Sequence, residues 1–379
     1  MPSVADVVQA VEALYPPGLA ESWDAVGLVC GRPDAEVTSI AVCIDPTEVV
    51  VESALASGAN FILAHHPLLL SGVNGLAATD SKGRTLHRLI EAGCALMTAH
   101  TNADSAAPGV SDALAAALGI EVTGPLEAVS AVSLHKLVVF VPLANIEAVI
   151  DALAEAGAGA IGDYDRCAYW VDGTGTFRPL PGASPHVGSV GAVESVNESR
   201  LEMIYPSHRH DAVVAALRSA HPYEEPAFDS VALASVTGAT GLGRIGTLSR
   251  EVSLSEFANQ VAQALPSTSA GIRVAGELTR TVKTVAVCGG SGDWGLGTAT
   301  AAGADVYVTS DLKHHKVLDH LADGGCAVID VAHFASEFPW CQSAAAALAR
   351  ELTSAGTTVE VNVCEVVTDP WTTHVRSSP

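Results

Sequence analysis

The sequence predicts an α/β chain in which two flanking α/β parts are interrupted by a smaller α+β insert. Two observations carry this. Short apolar runs of about four to seven residues alternate with longer Ala/Leu-rich stretches of helical spacing, the signature of a parallel sheet covered by helices on its faces. The alternation then stops near the middle and resumes later with the same character. Between the two stretches the elements read strand, helix, strand, strand, helix, strand, the order of a ferredoxin-like unit.

The elements follow in order. Val4 to Leu14 is a first helix. Ser39 to Ile44, Phe61 to Ala64 and Ala95 to Ala99 are buried strands, and Thr47 to Ala56, Lys82 to Ala92 and Gly109 to Leu118 are helices between and after them. The middle contributes strands His135 to Val141, Tyr169 to Val171, Leu201 to Tyr205 and Phe228 to Ala232, with helices Ala144 to Ala156 and Asp211 to Ala220. The alternation resumes with strands Val282 to Val287, Asp305 to Thr309 and Cys326 to Asp330, then an Ala-rich helix around Gln342 to Leu352. This places a first part at 1–125, the insert at 126–236 and a second part at 237–379.

Composition excludes several classes of function. A chain of 379 residues that is 49% hydrophobic and only 16% charged can bury substantial cores, which rules out disorder. Its 42 acidic against 19 basic residues, with no basic run, would repel a phosphate backbone, so nucleic acid is not expected as a partner. The eight cysteines are scattered without a CxxC and mostly sit in apolar runs such as IAVCID, as small core residues of a reducing compartment do. The N-terminal stretch lacks the shape of a secretion signal, and no run reaches the ~18 uninterrupted apolar residues of a membrane span. A cytoplasmic, soluble protein is expected.

The chemistry gathers at strand ends. The strand Phe61 to Ala64 runs into His65, His66 and Pro67, and in open α/β sheets ligands sit in the crevice beyond the carboxyl ends of strands. Strand Ala95 to Ala99 runs into His100 and a loop bearing Asp104. In AVIDVAHFASEFPW, His333 and Glu337 are four positions apart and stack on one face at the start of a helix. Each piece alone has a bland reading: a polar loop entrance, a turn former or a solvated helix face. Together, His65, His66, Asp104, His333 and Glu337 form a set of nitrogen and oxygen donors suited to two divalent ions, for which ~3.5 to 4 Å separations need a bridging carboxylate or hydroxide. Without thiolates, zinc, manganese and iron all suit this set. His100 and His315 are candidate proton shuttles, because imidazole titrates near neutrality.

Two glycine strings need weighing. Gly290-Ser-Gly292-Asp-Trp-Gly295 and Gly241-Leu-Gly243-Arg-Ile-Gly246 both match GxGxxG, and a string found twice in one chain discriminates poorly for a dinucleotide site. The turn Gly289-Gly290-Ser291-Gly292 could instead receive a phosphate on its backbone N–H groups at a helix start, or be a plain strand-to-helix turn.

WDAVGLVCG, AHHPLLLSG, HTNADSA, GLGRIGTL, VCGGSG, YVTSDLKHH and DVAHFASE occur in that order. The set resembles the NIF-three-like family, often labelled GTP cyclohydrolase 1 type 2 homologues, over nearly the whole chain. The middle, with HPYEEPAFD at His221 to Asp229, is similar to the PII-like domain that some members carry as an insertion. The resemblance implies that the two flanking parts form one α/β unit with a dimetal centre, frequently assembled as a hexamer. It also implies ligands at His65, His66, Asp104, His333 and Glu337. Ala103, Ala332 and Ser310 depart from the usual family residues, and none of these changes removes a ligand. The expected function is a metal-dependent hydrolase, cyclohydrolase-like by label, acting on a small molecule such as a nucleotide through a metal-activated water. The competing class is a non-catalytic regulatory or metal-handling protein whose insert senses a small molecule.

Overall fold

The chain opens on a helix fixed by its own cap, in a computed structural model that describes residues 1–129, 133–162, 164–234 and 238–375. In α1 (Val4–Leu14), Ser3 accepts the Asp6 N–H at its hydroxyl while the Asp6 carboxylate accepts the Ser3 N–H, a reciprocal capping box. There follow β1 (Gly27–Cys30), β2 (Ser39–Cys43), α2 (Glu48–Ala56), β3 (Phe61–Ala64), α3 (Ser81–Glu91), β4 (Ala95–Thr98), the single turn α4 (Thr101–Ser105), α5 (Val110–Ala117) and β5 (Ile120–Ala128). The middle comprises β6 (Leu134–Pro142), α6 (Ile146–Glu155), β7 (Tyr169–Phe177), β8 (Glu194–Pro206), α7 (His210–Ala220) and β9 (Phe228–Ala232). The remainder is β10 (Gly241–Ser253), α8 (Leu254–Ala264), β11 (Arg273–Ala275), β12 (Thr281–Ser291), α9 (Gly295–Ala301), β13 (Val306–Ser310), α10 (His314–Ala322), β14 (Ala327–Val331), α11 (His333–Ser354) and β15 (Glu360–Val363).

Contacts divide this chain into two units, Met1–Val129 with Ala239–Pro379, and Ser130–Gly238. The first unit holds two sheets of related design. One has the order β1-β4-β3-β2-β15, with β2, β3, β4 and β15 parallel and β1 antiparallel at the edge. The other has the order β11-β14-β13-β12-β10-β5, with β12, β13 and β14 parallel and β11 antiparallel at the corresponding edge. The central parallel strands β2, β3, β4, β13 and β14 are buried throughout, as helix-covered sheets require, and most read as apolar runs. The sequence halves exchange strands: β15 from the end of the chain pairs with β2, and β5 from the first half pairs with β10. Helices α11 and α5 pack on each other, and the fully buried Trp340, Cys341, Ala344 and Leu348 of α11 join the core beneath β2 and β3.

The second unit is a four-stranded antiparallel sheet in the order β7-β8-β6-β9. Its core lies between the sheet and α6 and α7, where Leu137, Val139, Leu201 and Met203 meet Val149, Leu153, Val213 and Leu217.

Several expectations are corrected. The junction expected after residue 125 falls inside β5, where Leu126 and Glu127 continue the ladder opposite β10. The junction expected after residue 236 lies outside the described residues. The helix expected from Gln342 begins at His333, so the HxxxE pair and the Ala-rich stretch are one element. The GLGRIG string, which matched GxGxxG, is the start of the 13-residue strand β10. Gly246 is required there because a Cβ would stand 2.3 Å from the Glu121 carbonyl oxygen on β5.

Candidate metal centre

The ends of β3, β4 and β14 deliver the donor side chains to one place. β3 stops at Ala64, and the backbone N–H groups of His65 and His66 bond to the carbonyls of Cys43 and Ile44, so both histidines remain anchored to the neighbouring strand as the chain turns toward Pro67. β14 stops at Val331, and α11 starts at His333, placing Glu337 one turn further on the same face. Asp104 belongs to the short helix α4, not to a loop, and His100 stands at that helix's N-cap position.

The geometry centres on Glu337, which is 3% exposed. Its Oε1 lies 3.0 Å from His333 Nε2 and 3.6 Å from His65 Nε2, and its Oε2 lies 3.2 Å from His66 Nε2. Asp104 Oδ1 is 3.7 Å from His65 Nε2. The donor atoms form two overlapping triads, His65 with His66 and His100, and His66 with His333 and Glu337, in which all atoms lie within 4.8 Å of one another. Asp104 stands just outside these triads, and His100 stands inside one.

Each imidazole is aimed by a partner on its other nitrogen. His65 Nδ1–H donates to the Ala99 carbonyl at 2.9 Å, which leaves Nε2 as the bare nitrogen. His66 Nδ1 pairs with Asp45 at 2.8 Å, His100 Nδ1 with Asp24 at 2.8 Å and His333 Nδ1 with Asp311 at 2.6 Å. An acceptor behind Nδ1 fixes the tautomer and turns Nε2 toward the shared centre, as the histidine ligands of metals require. The sequence reading missed Asp24, Asp45 and Asp311. Asp45 and Asp311 each follow a strand end, β2 and β13, and that position was the available signal. Asp311 adopts φ +56, a conformation that aspartate tolerates better than most residues.

One buried atom tests whether this set fits a cation. His65 is 0% exposed, and its bare Nε2 has no hydrogen-bond partner, while the buried Glu337 Oε2 faces His66 Nε2 at 3.2 Å. Leaving a nitrogen lone pair dry and unsatisfied is costly, and a divalent ion satisfies it beside the Glu337 carboxylate. The electrostatics agree. Burial pushes Glu337 upward, yet His65, His66 and His333 outweigh it and hold the carboxyl well below its usual range. Burial works against a charged His66, but Glu337 and Asp45 outweigh it and raise the group to about 10; His333, under Glu337 and Asp311, rises to about 11. Asp104 is pushed up to about 6 by burial and the Glu337 charge against the pull of His65. His100 moves the other way, lowered by burial and by His65.

A model of the Duf34/NIF3 (NGG1p interacting factor 3) family matches residues 2–370. The chain belongs to the DUF34/NIF3 family. It is 50% identical over 374 residues to a Mycobacterium leprae protein named GTP cyclohydrolase 1 type 2 homolog, covering 98% of this chain and 96% of that one. A Mycobacterium tuberculosis protein of the same name is 51% identical over 369 residues, with 97% and 96% covered. The crystal structure of a Bacillus cereus protein related to NIF3 aligns over 98% of this chain and 99% of its own, with a TM-score of 0.70 and 37% identity.

Within this NIF3 chain two expected site elements change role. Three of the four N–H groups of the Gly289–Gly292 turn are engaged within the protein: Gly289 donates to Ser111, Gly290 to Ser336 at 2.9 Å and Gly292 to the Ser310 carbonyl. Its glycines make room for Glu337 and His333. Gly290 has φ +69, and a Cβ there would stand 2.5 Å from Glu337 Oε1 and 3.3 Å from His333 Nε2. His315 is exposed in the first turn of α10 beside His314, and it does not join the cluster among the described residues. A cavity of about 850 Å³ opens onto His66 and His333, walled by Asp45, Asp311, Arg273 and Trp371. Arg273 is committed to Asp330 at 2.7 Å.

Proposed function

We propose that this chain is a dinuclear metal-dependent hydrolase acting on a small molecule held in the cavity beside His66 and His333. The observation that carries the reading is the convergence of three imidazole Nε2 atoms on one buried carboxylate, with His65 Nε2 bare and unpartnered. His65, His66, His333, Glu337 and Asp104 would hold the ions, which are zinc, manganese or iron. When bound, such ions supply Lewis acidity, lowering the pKa of a coordinated water and polarising a substrate oxygen. The protein's own residues orient and move protons. Glu337 offers its two oxygens to opposite sides of the cluster, and Asp45 and Asp311 keep His66 and His333 turned inward. His100, backed by Asp24 and shifted toward its neutral form by burial, would serve as the proton acceptor.

The relatives' name points to GTP as one substrate. The one arginine of the cavity wall is engaged by Asp330, so a triphosphate would not be gripped by basic side chains. Donor vacancies favour catalysis over a purely structural ion, since five ligands shared by two ions leave open positions. The strand order of the second unit supports a ferredoxin-like, PII-like insert, and the family resemblance supports a homohexamer. The test is hydrolysis of GTP and a panel of small metabolites by metal-loaded wild type, by the chelated protein and by Glu337→Gln. Turnover should need both the metal and Glu337. Equal rates in all three, or metal-dependent partner binding without any turnover, would replace this reading with the regulatory one.

A further inference from the structure

The second unit carries a cavity of about 640 Å³ on the sheet face opposite α6 and α7. Strand alternation explains its floor. Leu201 and Met203 of β8 point to the helices, so Glu198 and Arg200 point the other way, and Val171 and Gly173 of β7 stand opposite them. Gly175 clears further space: a Cβ there would lie 2.1 Å from Glu198 Oε2, so the carboxylate rests where a side chain would otherwise stand. The other walls come from the 178–193 segment and the 221–226 turn, joined by the Ser184 N–H donating to Glu224 at 3.1 Å.

The turn is built to place Tyr223. His221 Nδ1 accepts the Tyr223 N–H at 3.1 Å, so its Nε2–H donates to the Phe140 carbonyl at 3.0 Å. This locks a neutral imidazole under the turn. The Tyr223 ring then faces Phe177 at 5.9 Å and His186 at 6.2 Å between centroids, while its hydroxyl is buried without a hydrogen-bond partner. Among the charged groups nearby, Glu225 is held by Arg218 and Arg200 by Glu202. Glu198 and the Tyr223 hydroxyl are then polar groups beside an aromatic-walled space of small-molecule size. Burial, then the neighbouring Glu198 carboxylate, push Tyr223 up to about 12, so the hydroxyl and the carboxylate share this space and a ligand would meet them as a pair.

We propose that this cavity binds a planar heteroaromatic molecule bearing an amidine-type N–H edge, with its ring among Phe177, His186 and Tyr223 and its N–H groups donated to Glu198. A carboxylate accepts two parallel N–H donors from such an edge, and the flat apolar walls select a ring over a sugar. Arg178 is the one basic side chain of the lining without an ion-pair partner among the described residues, too little to hold a polyphosphate.

The probe is guanosine, which has the edge and no phosphate for the metal centre to grip, titrated calorimetrically into the whole metal-loaded protein. Saturable binding is expected. Inosine, which lacks the 2-amino group, should bind about tenfold or more weakly, as should guanosine to Glu198→Gln. Gly175→Ala should weaken binding by displacing Glu198, and Glu337→Gln should leave it unchanged. Absence of guanosine binding at millimolar concentration overturns the proposal. Equal affinity for inosine overturns it without reference to any variant, and so does retained affinity in Glu198→Gln. Loss of binding in Glu337→Gln would assign guanosine to the metal centre and equally contradict it, while leaving the hydrolase reading intact.

Discussion

At the residue scale, the centre depends as much on the groups behind the imidazoles as on the imidazoles themselves. Asp45 and Asp311 touch no other donor of the cluster, yet they set which nitrogen of His66 and His333 is free. Asp45→Asn or Asp311→Asn should lower metal affinity about 10–100-fold with the fold intact, measured by competition with a chromogenic chelator; unchanged affinity would show that the ligands orient themselves. Protonation gives a second check. In the metal-free protein His66 sits at about 10 and His333 at about 11, so both are charged at neutral pH. Their contribution to stability is therefore full below the ordinary histidine value of about 6.5 and is lost as pH climbs through those raised values. An incoming ion must displace these protons. Metal binding at pH 7.5 should release about two protons per chain, and affinity should rise with pH from neutrality toward pH 10. Calorimetry in buffers of different ionisation enthalpy reads the proton count, and a count of zero contradicts the arrangement.

At the element scale, the site is legible in the sequence where strands end in paired donors and illegible where it relies on contacts between distant segments. His65 and His66 follow an unmistakable apolar strand, and His333 with Glu337 shows helical spacing, so those donors can be read directly. Asp24 cannot be read from its surroundings, because its role arises only when α4 brings His100 and Thr101 against it. The strands β1, β11 and β15 lie at sheet edges with partly exposed positions, so they lack the unbroken apolar run that marks β3 and β4, and the glycines of β10 hide a long strand that the neighbouring β5 demands. Gly289 to Gly292 reads as an anion turn until α11 is packed on it. Gly290→Ala should therefore abolish metal binding while leaving the far-UV circular dichroism unchanged, since the added methyl meets Glu337 and not the core. Arg244 gives the opposite pattern. It is 1% exposed and bonded to Asp112 and to the Gly241, Gly243 and Ala106 carbonyls, tying β10 to the corner that carries Asp104. Arg244→Met should destabilise the protein by about 3–5 kcal/mol, read from chemical denaturation, because it strands three buried carbonyls and takes the cation from the half-buried Asp112 carboxylate. A loss below about 1 kcal/mol would mean that water replaces the guanidinium.

At the scale of the whole molecule, the chain forms two units with separate cores, and every donor of the candidate metal centre belongs to the unit formed by the two ends of the chain. An ion that binds the folded state alone stabilises it by mass action. Chelation should then lower the unfolding temperature of the transition reported by the buried Trp340, which packs 5.2 Å from His65, and leave a transition of the second unit in place. A single transition unmoved by chelator would separate the metal from the fold. No helix among the described residues is long and apolar enough to cross a membrane, and the 42 acidic residues that give the chain its charge of -23 favour cations over polyanions as ligands. The most direct measurement is elemental analysis of the purified chain beside Glu337→Gln, each dialysed after exposure to zinc, manganese or ferrous iron. The account predicts about two ions per wild-type chain and a marked loss in a Glu337→Gln protein that keeps its circular dichroism; equal metal in both, or none in either, would contradict it.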